Sequence, residues 1–295
     1  MNSQDQAKPI IKWAGGKQGI CAQLVSYFPC DFDTYYEPFV GGASVCLTLN
    51  HERSVISDEN QWLINTYRAI RDDCSAVRKI LDGIENTKEN FLDIRKICFG
   101  DLELPQQAAH FIYLNKTCFR GLFRVNKKGM FNVPYGDYDR RYYDSDNLSA
   151  VAAYLQDVEI RFGDFELGIV GISANDFVYF DPPYYKLGGY SDFNRYTKYQ
   201  FNESEHFRLA ALCHELNKKG VRWALSNSNT PFIQNLFEGF NVLEVSNRRE
   251  INLKSSSRNI KELFITNYPF EESRFAAEIV QRRGCDPVSA RVSVG

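Results

Sequence analysis

Apolar and polar positions along this chain follow two different periods, and the switch between them divides it. Residues 34–45 read as a strand, a glycine turn and a helix. Residues 54–60 read as a second apolar run stepping into acids. From 61 to 114 the apolar residues recur at helical spacing: Ile70, Val77, Ile80, Leu81 and Ile84, then Phe91, Ile94 and Ile97, then Phe111, Ile112 and Leu114. No strand pattern interrupts them, so a helical block is expected. Residues 118–136 alternate aromatic with basic residues and turn at Lys127-Lys128-Gly129, which predicts a two-stranded hairpin. Strand character returns at 158–165, at 178–180 and at 221–226, with an amphipathic helix over 203–219 ended by Gly220. Runs at 242–245 and 263–267 look like a closing antiparallel pair. Three polar stretches remain: 186–202, suited to a lid; 226–229, a polar turn; and a basic loop from Arg248 to Arg258. The last 25 residues are expected to be a loosely held tail.

Composition narrows this picture only slightly. The chain has 295 residues, 44% hydrophobic and 24% charged, which is ordinary for one large α/β domain or two modest ones. A formal net charge of −2 gives no global sign of a nucleic-acid partner. Locally the balance is different. Asn115 to Arg141 holds seven Lys/Arg against two Asp, and Arg248 to Lys261 holds five against one Glu. That is the distribution of a protein with one basic groove. The eight cysteines form no C-x-x-C pair and no zinc spacing, so free thiols in a reducing, cytoplasmic setting and no metal are expected. No apolar run approaches a membrane span, and no charged-then-apolar leader is seen.

Four motifs carry the candidate chemistry. Lys12-Trp13-Ala14-Gly15-Gly16-Lys17 lets the backbone approach a ligand closely, and Lys17 is expected to open an amphipathic helix through Ile20, Leu24 and Phe28. It is not a Walker-type phosphate loop, and a plain turn is the simpler alternative. Glu37-Pro38-Phe39-Val40-Gly41-Gly42-Ala43-Ser44, followed by a strand ending at Asp58, forms the opening of a nucleotide-binding α/β unit. The turn lacks G-x-G-x-x-G, so a single adenosyl moiety suits it better than a dinucleotide. Asp58 can accept from ribose hydroxyls, or it can simply cap the next helix. Gly163-Asp164-Phe165 pairs an acid for an adenine amino group with an aromatic cover; its plain alternative is a capped turn.

The fourth motif, Asp181-Pro182-Pro183-Tyr184, closes a buried aromatic strand. Neither proline has an N–H, and the first pushes Asp181 out of the helical region. The carbonyls there can face a cleft as pure acceptors, with a carboxylate before them and an aromatic face after. The result is a socket for a flat ring bearing an –NH2. The plain alternative is a strand end with Asp181 as a cap. The socket reading carries a condition: the carboxylate must face a pocket and must not already be neutralised by an internal lysine or arginine.

In this order, the four motifs resemble the Dam-type (class alpha, D12 group) DNA adenine-N6 methyltransferases over residues 10 to about 268. The resemblance implies an α/β, Rossmann-like S-adenosylmethionine (SAM)-dependent methyltransferase sheet. It implies a discontinuous catalytic domain, residues 1–60 and 158–270, and an inserted, mainly helical target-recognition domain over 61–157 that carries the hairpin. The tail is 271–295. SAM would be held by Trp13, Ala14, Gly15, Lys17, Glu37, Pro38, Phe39, Gly41, Gly42, Ala43, Ser44, Asp58, Asp164 and Phe165. Asp181, Pro182, Pro183 and Tyr184 would hold the target adenine. Double-stranded DNA would meet Leu122, Arg124 and Pro134 as base readers and Phe119 as the wedge. Arg120, Asn126, Lys127, Lys128, Asn132, Arg140, Lys254, Ser256 and Arg258 would complete that contact. GATC-specific members usually carry Asn where this chain has Arg120, so the expected site is GATC or a GAT-containing sequence. A monomer of bacterial or phage origin, possessing or lacking a cognate restriction endonuclease, fits the resemblance. Rival readings are a cytosine-N4 methyltransferase, an RNA adenine-N6 methyltransferase, and an inactive sequence-specific DNA-binding regulator.

Overall fold

A computed structural model describes residues 6–185, 201–248 and 259–270. The lid stretch up to residue 200, the basic loop beyond residue 248 with Lys254, Ser256 and Arg258, and the tail therefore lie outside the described residues. Seven strands form one sheet in the order β3-β2-β1-β4-β5-β7-β6. They are β1 (Tyr35–Glu37), β2 (Ser54–Asp58), β3 (Val158–Phe162), β4 (Phe177–Phe180), β5 (Arg222–Ser228), β6 (Asn241–Arg248) and β7 (Asn259–Thr266). The first five pair in parallel, and β7 runs antiparallel between β5 and β6. The inner parallel strands are covered on both faces, which is why β4 reads as an unbroken apolar run and β1 is buried throughout, its terminal Glu37 included.

Nine helices follow the chain: α1 (Cys21–Ser26), α2 (Ser44–Leu49), α3 (Gln61–Asp82), α4 (Lys88–Ile94), α5 (Leu104–Thr117), α6 (Ser145–Leu155), α7 (Phe165–Gly168), α8 (Glu203–Lys218) and α9 (Pro231–Leu236) among the described residues. Two apolar clusters separate by sheet face. One joins Tyr35, Ile56, Phe177 and Tyr179 to α1, α2, α3 and α5. The other joins Val55, Val178, Phe180 and Trp223 to α7, α8 and α9. The first cluster runs without a break from the sheet into residues 61–157, through α3, which lies on β2 and β3 and kinks at Asp73 (φ −150°, ψ 70°).

Three expectations need correction. Lys17 does not open a helix: α1 begins at Cys21, and residues 13–20 form turns closed by Gly16 N–H to Trp13 O and Ile20 N–H to Lys17 O. Residues 226–229 are not a turn, because β5 runs on to Ser228, held by β7. Residues 118–136 double back, but not as a ladder. Two isolated antiparallel bridges, Cys118 to Tyr135 and Val125 to Phe131, replace it. The reason is packing. Phe123 and Phe131 are drawn down against Trp62 and Phe111, and the Arg124 guanidinium donates to Asn132 O. The outward residues keep the predicted alternation.

Candidate active site

Between β1 and β4 the chain changes direction across the sheet: β1 leads outward to β2, while β4 leads to β5 on the other side. Carboxyl ends of parallel strands open a crevice at such a switch point. β1 ends in Glu37 and the glycine turn, β4 ends in Asp181-Pro182-Pro183-Tyr184, so topology alone brings two of the four motifs together.

The glycine turn is fastened from three sides. Gly41 has φ +46° and Ala43 φ +59°. Asp58, at the end of β2, accepts Gly41 N–H through Oδ2 (3.0 Å) and Asn60 N–H through Oδ1 (2.9 Å). Tyr67 of α3 donates to Gly41 O (2.7 Å). Trp13 lies on the turn so closely that a Cβ on Gly41 would come within 2.7 Å of its Cδ1. Asp58 is thus a tie between strand and turn; the cap of α3 is Asn60, which accepts from Trp62 N–H. Burial pushes the Asp58 carboxyl up to about 6, against the two backbone N–H groups that lower it.

Phe39 and Phe165 stack at 5.5 Å beside this turn, with Phe201 edge-on to Phe39. Asp164 caps α7 by accepting from Glu166 N–H (3.0 Å). It also pairs with Arg208 of α8 (2.9 Å), whose guanidinium lies 4.8 Å from the Phe165 ring centre. The partner Arg208 was not anticipated.

Deeper in the crevice, on the α1 face, four side chains meet. Lys17 Nζ, 2% exposed, lies 2.7 Å from Asp181 Oδ1, 3.9 Å from Glu262 Oε2 and 4.7 Å from the centre of the Tyr184 ring. It also donates to Gly15 O (3.0 Å). Tyr184 donates its hydroxyl to Glu262 (2.9 Å). The condition placed on Asp181 is therefore broken, since an internal lysine sits beside it. At 2.7 Å the contact is a charge-assisted hydrogen bond, so the buried Oδ1 accepts from the Lys17 ammonium. Burial pushes the Asp181 carboxyl up, the Lys17 ammonium draws it down, and Glu262 pushes it up again. Glu37 lies near as a further buried acid, accepting from Tyr35 (2.9 Å), and burial carries it up to about 8.

Glu262 escaped the sequence reading. It immediately precedes an apolar run, where a charge usually marks an exposed strand end, but β7 is an inner strand and buries it opposite Ser228 and Val245. The expected DNA contacts sort by exposure. Phe119, Arg124, Asn126, Lys127, Lys128, Asn132, Pro134 and Arg140 face outward, while Arg120 and Leu122 are half-covered. Arg120 adopts the left-handed conformation (φ +59°), one that Asn accepts readily, and its N–H donates to Tyr138 (2.8 Å).

Comparison with known proteins agrees with this geometry. A family model for D12 class N6 adenine-specific DNA methyltransferases matches residues 13–251. A type II methyltransferase of Methanocaldococcus jannaschii, M.MjaIII, is 39% identical over 291 residues, covering 89% of this chain and 100% of that protein. M1.LlaDCHI, a type II methyltransferase of Lactococcus lactis, is 35% identical over 88% of this chain and 95% of its own. A DNA adenine methylase of Haemophilus influenzae is 30% identical, with coverages of 87% and 92%. A matched span that takes in the glycine turn, the Asp164 turn and the Asp-Pro-Pro-Tyr socket places the chain among its relatives: it belongs to the D12 class of N6 adenine-specific DNA methyltransferases.

Proposed function

We propose that the protein transfers a methyl group from SAM to N6 of adenine in duplex DNA, within GATC or a GAT-containing site, after flipping the base from the helix. The observation that carries this reading is the buried Asp181 carboxylate at the switch point of the sheet, beside the Tyr184 ring, with an amine nitrogen, Lys17 Nζ, 2.7 Å from its Oδ1. The ammonium marks this oxygen as an acceptor for a nitrogen donor, and the –NH2 of a flipped base offers the same kind of N–H group.

The donor's fit rests on what the chain presents. Phe39 and Phe165 offer ring faces, and Asp58 keeps lone pairs beyond the two backbone N–H groups that it accepts, enough for ribose hydroxyls. A Cβ on Gly15 would meet nothing within 4 Å, so that turn borders open space. SAM would supply an electrophilic methyl on a sulfonium. Trp13, the Phe39–Ser44 turn, Asp58, Asp164 and Phe165 would hold it.

Everything else falls to the protein. Extracting the base costs a few kcal/mol, offset by stacking on Tyr184 and by hydrogen bonds to Asp181 and the Pro182 carbonyl. The amine lone pair of adenine is conjugated into its ring. Acceptors on both N–H groups draw the nitrogen toward a tetrahedral shape and release that pair for attack. Asp181 then meets the positive charge that grows on nitrogen, an interaction stronger in the transition state than before it. The N6 proton leaves to water afterwards. Residues 61–157, with their outward Arg124 and Pro134, would read the sequence: Arg124 can fork onto guanine O6 and N7, and Pro134 can pack on a thymine methyl. The type II names of two relatives support a paired restriction endonuclease.

The test is to incubate the protein with isotope-labelled SAM and duplex DNA, digest to nucleosides and identify the product by mass, then map modified positions in DNA from expressing cells. N6-methyladenine at GAT-containing sites is expected. N4-methylcytosine, label only in RNA, or no label would overturn the reading.

A further inference from the structure

Lys17 occupies an odd place for a cation in this reaction. Its ammonium meets the same Asp181 oxygen and the same Tyr184 ring that a target amine would use. An ammonium and an aromatic amine both offer N–H groups to a carboxylate, so the two compete for one seat. Lys17 is also buried, so it cannot leave Asp181 without another anion to receive it. Among the described residues, the carboxylate on the far side is that of Glu262, with Oε2 3.9 Å away. Glu37, the other acid of this crevice, is carried toward its neutral form by burial. Glu262 also fixes the Tyr184 hydroxyl at 2.9 Å, so one side chain touches both the lysine that must move and the ring that must stack.

We propose that Lys17 holds the seat of the target amine before DNA arrives, and that Glu262 is the positioning residue that draws it off as the base enters, freeing Asp181 while keeping Tyr184 aligned. This rests on the adenine-N6 reading above. A shift of a few ångström between two carboxylates is a two-state element, and the competent fraction scales the apparent rate of base capture.

The experiment compares single-turnover methyl transfer at saturating SAM and DNA for wild type, Glu262→Gln, Glu262→Asp, Lys17→Gln and the Lys17→Gln/Glu262→Gln double variant. SAM affinity and melting temperature are measured alongside. Glu262→Gln keeps an acceptor for Tyr184 but loses the charge, and should slow transfer by about tenfold or more. Removing the competitor as well should make the double variant at least about threefold faster than Glu262→Gln, since the two residues are coupled. A purely structural loss would not be rescued by a second substitution. Glu262→Asp, which keeps the charge, should fall between wild type and Glu262→Gln. The proposal is overturned if Glu262→Gln matches wild type, which would mean that the ammonium leaves to another anion such as the donor's own carboxylate. It is equally overturned if the double variant is no faster than Glu262→Gln, or if Glu262→Asp is the slower of the two single variants. Failure of the underlying reading looks different: wild type itself would put no methyl on adenine, and this inference would fall with it.

Discussion

At Asp181, burial favours the neutral acid while the Lys17 ammonium favours the carboxylate. Lys17 breaks the condition that no internal cation touch this residue, and the adenine-N6 reading then requires the ammonium to give way to the substrate amine. Glu37 shows the opposite case, with no cation on it among the described residues. Its folded-state value, raised to about 8 from 4.5, lies above the unfolded one, so its contribution to stability is full below about pH 4.5 and is lost as pH rises through 8, a swing of order 5 kcal/mol at most. Glu37→Gln mimics the protonated acid and keeps an acceptor for Tyr35. Its melting temperature should therefore gain on wild type as pH rises from about 5 to 8, and a constant difference across that range would contradict the assignment. Arg124→Ala should cost roughly 1–3 kcal/mol in binding and relax preference at one base pair. Equal weakening on all sequences, measured on a panel of single-substitution duplexes, would make it a phosphate contact instead.

The glycine turn is the element on which donor binding depends most visibly. Gly41→Ala forces a Cβ toward Trp13 at 2.7 Å and places a side chain at φ +46°. It should weaken SAM binding by about 1 kcal/mol or more, read by calorimetry, and an unchanged affinity would mean that the turn does not shape the donor site. This element was legible because Gly-Gly after an apolar run and a downstream acid have few other uses. The folded-back segment at 118–136 was legible in its alternation but not in its pairing. Phe123 and Phe131 gain more by packing on Trp62 than the backbone gains by completing a ladder, and such competition leaves no trace in a periodic pattern. Lys17 was misplaced for a similar reason. Its helix starts later than the apolar spacing suggested, so the side chain turns back into the crevice.

For the whole molecule, strand existence could be read from the chain, and so could the antiparallel pairing of β6 with β7, but the order of the other strands could not. Nothing near Leu263 announces that β7 also pairs with β5, and so nothing announced that Glu262 would be buried beside Asp181. The net charge of −2 hides a basic face, so DNA affinity should fall steeply with salt. Replacing Lys127 and Lys128, both outward-facing, with alanine should lower the slope of log K against log salt by roughly 2; an unchanged slope would remove them from the DNA contact. The central claim concerns the carboxylate at the sheet's switch point, and the most direct measurement is methyl transfer to duplex DNA by Asp181→Ala with SAM binding followed in parallel. Loss of transfer with SAM affinity largely kept is predicted. Transfer to adenine N6 at the wild-type rate without that carboxylate would contradict it.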